Sequence, residues 1–463
     1  MAQRRVIVVG TGPAGVRCAQ TLVVAGLKPT VVDEGRRDGG QIYRRQPEGF
    51  KRPYATLYGS EAAKAEDLHK TFAAIRPQLD YRAETLAWNV TANTLHVVRE
   101  GKQTATLPFD ALVVCSGATD RLMPVEGWNL AGCYSLGASQ IALKSQACAI
   151  GRRVVFMGTG PLLYLVAAQY VQAGATVLAV LDTSRFAQRV RALPALAARP
   201  ALLLKGMALN RILRKAGVAL HHGVTPLRIT GVASTGVQGV TVRASDGRAL
   251  HFACDAVALG YHLRAESQLA DLARCEFAFD NASRQWLPKI DSDGRSTTAG
   301  VYLAGDGARI LGADGAEAAG RLAALAVLSD LGLPVPADQM PALRRTLLTM
   351  ERFRRGLITA FPWPHAQAAT LPDAAVVCRC ETITAGDLRR VVRDMGGTEM
   401  NRAKAFSRVG MGRCQGRLCG HAAAEVVAHA AGVPIEMVGR LRGQGPVKPL
   451  PMSALETTGA IHG

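Results

Sequence analysis

Gly10-Thr11-Gly12-Pro13-Ala14-Gly15 stands directly after the apolar run Val6-Ile7-Val8-Val9, and the pattern returns as Gly158-Thr159-Gly160-Pro161-Leu162-Leu163 after Val154–Met157. Each copy continues through a stretch of Ala, Leu and Val that stops at a glycine, Gly26 in the first and Gly174 in the second. Each then enters a β-rich run, Thr30–Val32 or Thr176–Leu181, and ends on acid, Asp33-Glu34 or Asp182. Strand, glycine turn, helix and strand make the βαβ unit of a dinucleotide fold. Gly10 allows the tight turn, Gly12 lets the backbone approach a pyrophosphate, and Gly15 lets helix and strand pack closely. The free N–H groups of a helix beginning near Pro13 and Ala14 face the phosphates. Asp33, or Glu34 beside it, is placed to accept from ribose hydroxyls.

The second copy carries Leu163 where the first has its third glycine. A leucine there pushes the helix off the strand or shifts the phosphate turn, which argues against a nicotinamide nucleotide. Gly158, Gly160 and Asp182 still leave room for an adenine nucleotide bound for structure. Two further strand-and-turn segments, ending at Ser116-Gly117 and at Gly305-Asp306, read as late strands of the first fold with the second inserted between them. The expected division is 1–125 with 261–335 for the first fold and 126–260 for the second. A helical connector over 336–374, a cysteine domain over 375–432 and an extended tail over 433–463 complete it. The run Pro446-Val-Lys-Pro449-Leu-Pro451 cannot continue a helix.

The cysteine domain holds Cys378-Arg379-Cys380 and, after a gap of 33 residues, Cys414-Gln-Gly-Arg-Leu-Cys419. Four paired thiolates fit a 2Fe-2S cluster, and structural zinc is the alternative, although Cys-x-Cys is unusual for it. Strand geometry predicts Cys378 and Cys380 on one face. Thr384-x-x-Asp387 starts a helix that ends at Gly396-Gly397, and a second helix, His421–Ala431, points its N-terminus at the cluster. Arg379, Arg413 and Arg417 offset the cluster's charge.

Gly39-Gly40-Gln41, Ser116-Gly117-Ala118 and Gly305-Asp306-Gly307 follow the first fingerprint in order, and this set resembles the two-dinucleotide-domain flavoproteins typified by glutathione and thioredoxin reductases. The resemblance implies an α/β fold of two Rossmann-like domains, one inserted in the other, with a small α-rich 2Fe-2S domain after them. It also implies FAD, with Asp306 near its ribityl chain or pyrophosphate. No Cys-x-x-Cys occurs in the flavin body, so disulfide-reductase chemistry is excluded, and Cys115, Cys133 and Cys148 read as small buried apolar residues.

The pattern C-R-C-E…G-M-G-x-C-Q-G-R-x-C, together with Asp33-Glu34…Gly39-Gly40-Gln41-Ile42-Tyr43-Arg44, is similar to the opine oxidase A subunits. Hydrogen cyanide synthase B subunits and the alpha subunits of dye-linked proline and hydroxyproline dehydrogenases share it. That resemblance implies an electron-relay subunit of a heteromeric amino-acid or opine dehydrogenase. Its partner would be a D-amino-acid-oxidase-like flavoprotein, with room for a further small subunit, FMN at a subunit interface and a respiratory electron acceptor. The rival readings are a self-contained NAD(P)H-dependent FAD/2Fe-2S reductase and a nucleotide-binding scaffold.

Composition narrows the class without choosing the substrate. The chain has 463 residues, a prior of about three domains, and 48% of them are hydrophobic. Its net charge is +19, but the basic residues are dispersed and not interleaved with aromatics, so nucleic acid is not the expected partner. An Arg-rich surface, an acidic partner protein or an anionic membrane face accounts for it. The apolar stretch 158–181 contains Gln169, Gln172 and Gly174 and parses as strand, helix and strand, so no membrane span is expected. Scattered cysteines suit a cytoplasmic protein, with peripheral seating at the inner membrane as the variant. No acid, base or nucleophile constellation is visible, and His262, His365 and His421 stand alone.

Overall fold

A computed structural model describes residues 4–455. The first three residues of segment 1–125 and the last eight of the tail 433–463 lie outside the described residues.

Five parallel strands form the first sheet, in the order Val301–Leu303, Ala111–Val114, Val6–Val9, Thr30–Val32, Asp80–Arg82. A second five-stranded parallel sheet runs Ala219–His222, Thr176–Asp182, Arg153–Thr159, Ala256–Tyr261, Cys133–Ser135. Its central strand, Arg153–Thr159, occupies the place that Val6–Val9 holds in the first sheet. Both central strands are Val-rich and almost wholly buried, as strands covered on both faces must be. Each sheet carries a three-stranded antiparallel meander, Thr85–Pro108 in the first fold and Thr225–Ala253 in the second. The chain crosses between the folds on Ala118–Asp120 and returns on Leu263–Ala265, and these two short strands pair antiparallel.

In both sheets the order reverses beside the central strand, leaving a crevice at the strands' carboxyl ends where ligands of such folds bind. Helix Pro13–Val24 follows the first glycine turn, with Pro13 at its start and no acid in its first turn. Helix Pro161–Gln172 follows the second, and Leu163 is fully buried in the core beneath it.

The segment read as a connector is a wall of the molecule. Helix Gln339–Ala360 buries Met350, Phe353, Gly356 and Ala360, and it packs Phe353 and Ala360 against Ala192 and Leu196 of helix Phe186–Leu196. The tail is not extended from its start: a short helix, Ile435–Val438, precedes the irregular run. Cys115 and Cys133 are buried as expected, whereas Cys148 is exposed on the loop after helix Leu136–Ser145. Among the described residues no helix is long and apolar enough to cross a membrane.

Candidate functional site: a dinucleotide cavity beside a cysteine centre

The first fingerprint opens onto a cavity of about 1630 Å³ that reaches the second fold. Small-molecule pockets run to roughly 1,000 Å³, so this one has room for a dinucleotide and more. Gly10, Gly12, Pro13, Ala14, Asp33, Glu34, Gly40, Gln41, Ser116, Gly117 and Asp306 all line it. Gly15 and Gly305 lie behind the wall. A Cβ at Gly15 would overlap the Gly10 carbonyl, so this position can hold only glycine if the turn is kept.

The acids differ from expectation in what they hold. Asp33 accepts from Thr11 N at 2.5 Å, Thr11 Oγ1 at 2.6 Å and Gly35 N at 2.5 Å, so its carboxylate braces the glycine turn. Glu34, more than half exposed, pairs with Lys448 from the tail. Asp306 sits in the Gly305–Gly307 turn and accepts from Leu311 N at 2.9 Å and Gly312 N at 3.1 Å. Burial raises its carboxyl to about 6. Burial likewise brings the Lys144 ammonium, inside the same cavity, down to about 8. A cradle of backbone N–H groups, a helix N-terminus and buried cations fits the pyrophosphate of FAD.

The raised Asp306 carboxyl carries a pH signature. Its folded value exceeds the unfolded one, so its contribution to stability is present below about pH 4 and is lost as pH rises through about 6. Asp306→Asn is therefore expected to stabilise the flavin-free chain at pH 7 by up to about 3 kcal/mol and to flatten that slope. Urea unfolding at pH 4.5, 6 and 7.5 reads this directly.

At the second fingerprint, Gly160 lines the cavity while Gly158 packs against Gly260. Asp182 does not face a ribose. It is fully buried and accepts from Tyr164 Oη at 2.7 Å, Arg189 Nη2 at 2.6 Å and Ser184 N at 2.7 Å. The His262 ring covers Gly160 and is itself held by the Phe361 carbonyl. The ribose acceptor expected from the sequence is thus spent on protein contacts.

In the cysteine domain the strand Val376–Cys378 ends at the first ligand, so Cys378 and Cys380 do not share a strand face. The chain turns after Cys378; Cys378 is buried and Cys380 exposed. Thr384 and Asp387 form the capping box that opens helix Ala385–Met395, which Gly396 closes in the left-handed conformation. Helix Gly420–Ala431 starts on Cys419. A Cβ at Gly412 would overlap Cys380, so that glycine lets the second loop close on the first.

The four thiols form a chain of contacts. Cys378 meets Cys419, Cys419 meets Cys414, and Cys414 meets Cys380. Contact with the Cys419 thiol, helped by backbone N–H groups of Gly410 and Glu381, brings Cys378 down to about 6. The same partner, with N–H groups of Leu418 and Gly416, brings Cys414 down to about 5. Among the described residues no three His, Cys, Asp or Glu side chains surround one point. The neighbouring thiols and burial push Cys419 the other way, upward, and burial does the same to Cys380. The extended set of four soft sulfurs fits a cluster of two irons, each taking two thiolates.

The cysteine loop is fastened to the cavity wall. Arg417, between Cys414 and Cys419, pairs with Glu266 at 2.8 Å and donates to Val447 O at 2.7 Å. Glu266 is tied through its backbone to Ser116 and to Gly117 O. Gln268 Nε2 donates to Gln415 O at 2.7 Å. Arg417 itself lines the cavity. From the helix that follows the loop, Glu425 is gripped bidentately by Arg284 at 2.9 and 2.7 Å. The sequence pattern offered Arg417 only as a charge near the cluster, and it held no sign of Glu266 or of Glu425.

Two dinucleotide folds with a cysteine centre docked on the first cavity define an oxidoreductase of the flavoprotein, iron–sulfur kind. A family model described as pyridine nucleotide-disulphide oxidoreductase matches residues 4–323. One described as a BFD-like 2Fe-2S binding domain matches residues 376–429. The chain is 35% identical, over 97% of its length and 86% of the relative's, to an opine oxidase of Rhizobium meliloti, in its A-type polypeptide. It is 30% identical to the hydrogen cyanide synthase component HcnB of Pseudomonas protegens, over 97% of this chain and 96% of that one. The crystal structure of L-proline dehydrogenase from P. horikoshii shares the fold, with a TM-score of 0.71 at 19% identity over 98% of this chain and 79% of that one. The chain belongs to the pyridine nucleotide-disulphide oxidoreductase family, in the group that contains the opine oxidase A subunits and HcnB.

Proposed function

We propose that this chain is the electron-carrying subunit of a heteromeric dehydrogenase that oxidises the C–N bond of an opine, a proline-type or another amino acid. The amine pocket lies on a D-amino-acid-oxidase-like partner, and a respiratory acceptor receives the electrons. The single observation that carries this reading is the Arg417–Glu266 ion pair, which joins the cysteine loop to the wall of the dinucleotide cavity. When bound, FAD supplies two-electron chemistry and a 2Fe-2S cluster one-electron chemistry. The chain's own residues position and shield. The helix at Pro13 presents N–H groups to phosphates, Asp33 holds the glycine turn, and Lys448 draws the tail across Glu34.

The buried Leu163 and the sealed Asp182 favour this reading over an NAD(P)H-dependent reductase. The test is co-expression with a D-amino-acid-oxidase-like partner subunit. The purified complex is expected to contain iron and flavin and to reduce a water-soluble dye with one of a panel of opines, proline derivatives and glycine. The chain alone is expected to be inert towards those amines. Rapid bleaching of its flavin by NADH would overturn the reading.

A further inference from the structure

The cavity does not stop where a dinucleotide would end. Past Gly160 it runs into an arm walled by helices Phe186–Leu196, Pro200–Lys215 and Gln339–Ala360. Leu165, Leu196, Leu203, Met207, Phe353 and Leu357 line this arm. The ribose acceptor and the phosphate turn of the second fingerprint are already engaged here, Asp182 by Arg189 and Tyr164, and Gly160 by the His262 ring. What the arm offers a ligand is a hydrocarbon lining with Arg211, Arg214 and Lys215 along helix Pro200–Lys215.

At its mouth, Phe186, Leu193 and Met207 are 70%, 50% and 68% exposed. Exposed apolar side chains continuous with a deep apolar arm mark an interaction site, not scattered surface residues. The surroundings are basic. From Thr183 to Ser245 the chain has ten Lys and Arg and no Asp or Glu. Arg199 and Lys205 pair with acids of the first fold. Arg191, Arg211, Arg214 and Lys215 have no acidic partner among the described residues. An apolar mouth ringed by unpaired cations is complementary to an anionic bilayer surface.

We infer that this arm binds an isoprenoid quinone, taken up from the bilayer with its ring toward the cofactor cavity and its tail between the helices. The inference rests on the reading that this chain passes electrons out of an amine-oxidising complex. The chemistry balances. Amine to imine releases two electrons and two protons, and quinone to quinol takes up two electrons and two protons. A fatty acid would fill the same space but accept no electrons. A water-soluble acceptor would need no apolar arm.

Decylubiquinone titrated into the purified full-length chain tests this by calorimetry. Saturable binding is expected, weakened at least about tenfold, 1.4 kcal/mol, in Leu193→Asp and in Met207→Asp. Both positions are solvent-facing, and parental iron and flavin contents serve as the folding control. Absence of saturable binding to the parent chain would overturn the inference. So would parental affinity in both variants, or stoichiometric displacement of decylubiquinone by ADP, which would assign the arm to a nucleotide. Dye reduction by the complex is read separately, so failure of the quinone site leaves the electron-carrying role standing, and the reverse.

Discussion

Cys419→Ser is expected to strip the chain of its iron while leaving the flavin cavity intact. Cys419 is 1% exposed and is the thiol that touches both Cys378 and Cys414, so it links the two halves of the ligand set. Serine offers a harder, shorter ligand with a far higher pKa, in a site whose neighbours donate N–H groups tuned to thiolate. Changes outside the ligand shell already cost ~10–100-fold in metal affinity, and loss of a buried ligand is expected to exceed that. Cys148→Ser serves as the control, since Cys148 lies exposed on the opposite fold and touches no other cysteine. Iron and acid-labile sulfide analysis, with electron paramagnetic resonance of the dithionite-reduced protein, gives the readout. The cysteine domain is small, and its core is mostly Ala and Val around Cys378 and Cys419. Loss of the cluster is therefore also expected to lower its melting temperature. Parental iron in Cys419→Ser would remove the cluster from its assigned place.

What was legible in the sequence was local. Both βαβ units could be read because strand, glycine turn and helix lie within thirty-odd residues of one another, and the spacing of small and apolar residues encodes them. The Thr384–Asp387 cap and the Cys419 helix start were legible for the same reason. Long-range pairings left no such trace. Arg417 and Glu266 are 151 residues apart, Arg284 and Glu425 141, and Lys448 and Glu34 414. Asp182 shows a subtler limit. Its position at the strand end was read correctly, but its availability depended on where Arg189 and Tyr164 point, which the pattern does not state. The strand reading of Cys380 failed because the pairing of Val376–Cys378 with Ile383–Thr384 is broken by a turn immediately after Cys378. The helical character of 336–374 could be read, but not that its long helix walls a cavity, because the surfaces it covers come from distant parts of the chain.

Glu425→Ala is expected to uncouple the cluster from the flavin without removing either. Glu425 is 3% exposed, on helix Gly420–Ala431. It accepts both prongs of Arg284 and, at 3.1 Å, the Trp363 indole N–H. Trp363 is in turn covered by the Arg121 guanidinium at 4.0 Å, and burial brings Arg121 down to about 9. Removing the carboxylate leaves two guanidinium groups facing each other with no countercharge at the seam between the cysteine domain and the two folds. Breaking a buried pair on one side costs roughly 3–5 kcal/mol, comparable with what holds one domain against another. The four sulfurs contact one another and not Glu425, so their mutual contacts are expected to survive. Iron content and the reduced-cluster resonance are therefore expected at parental levels. Substrate-driven reduction of the cluster in the complex is expected to fall by up to about 100-fold, the 3 kcal/mol end of that range expressed as a shift in the docking equilibrium. The conservative Glu425→Gln keeps the indole contact and one Arg284 contact, and should recover part of the loss. Parental reduction rates in Glu425→Ala would mean that docking on this seam does not govern electron transfer, and would leave the Arg417 side to carry it alone.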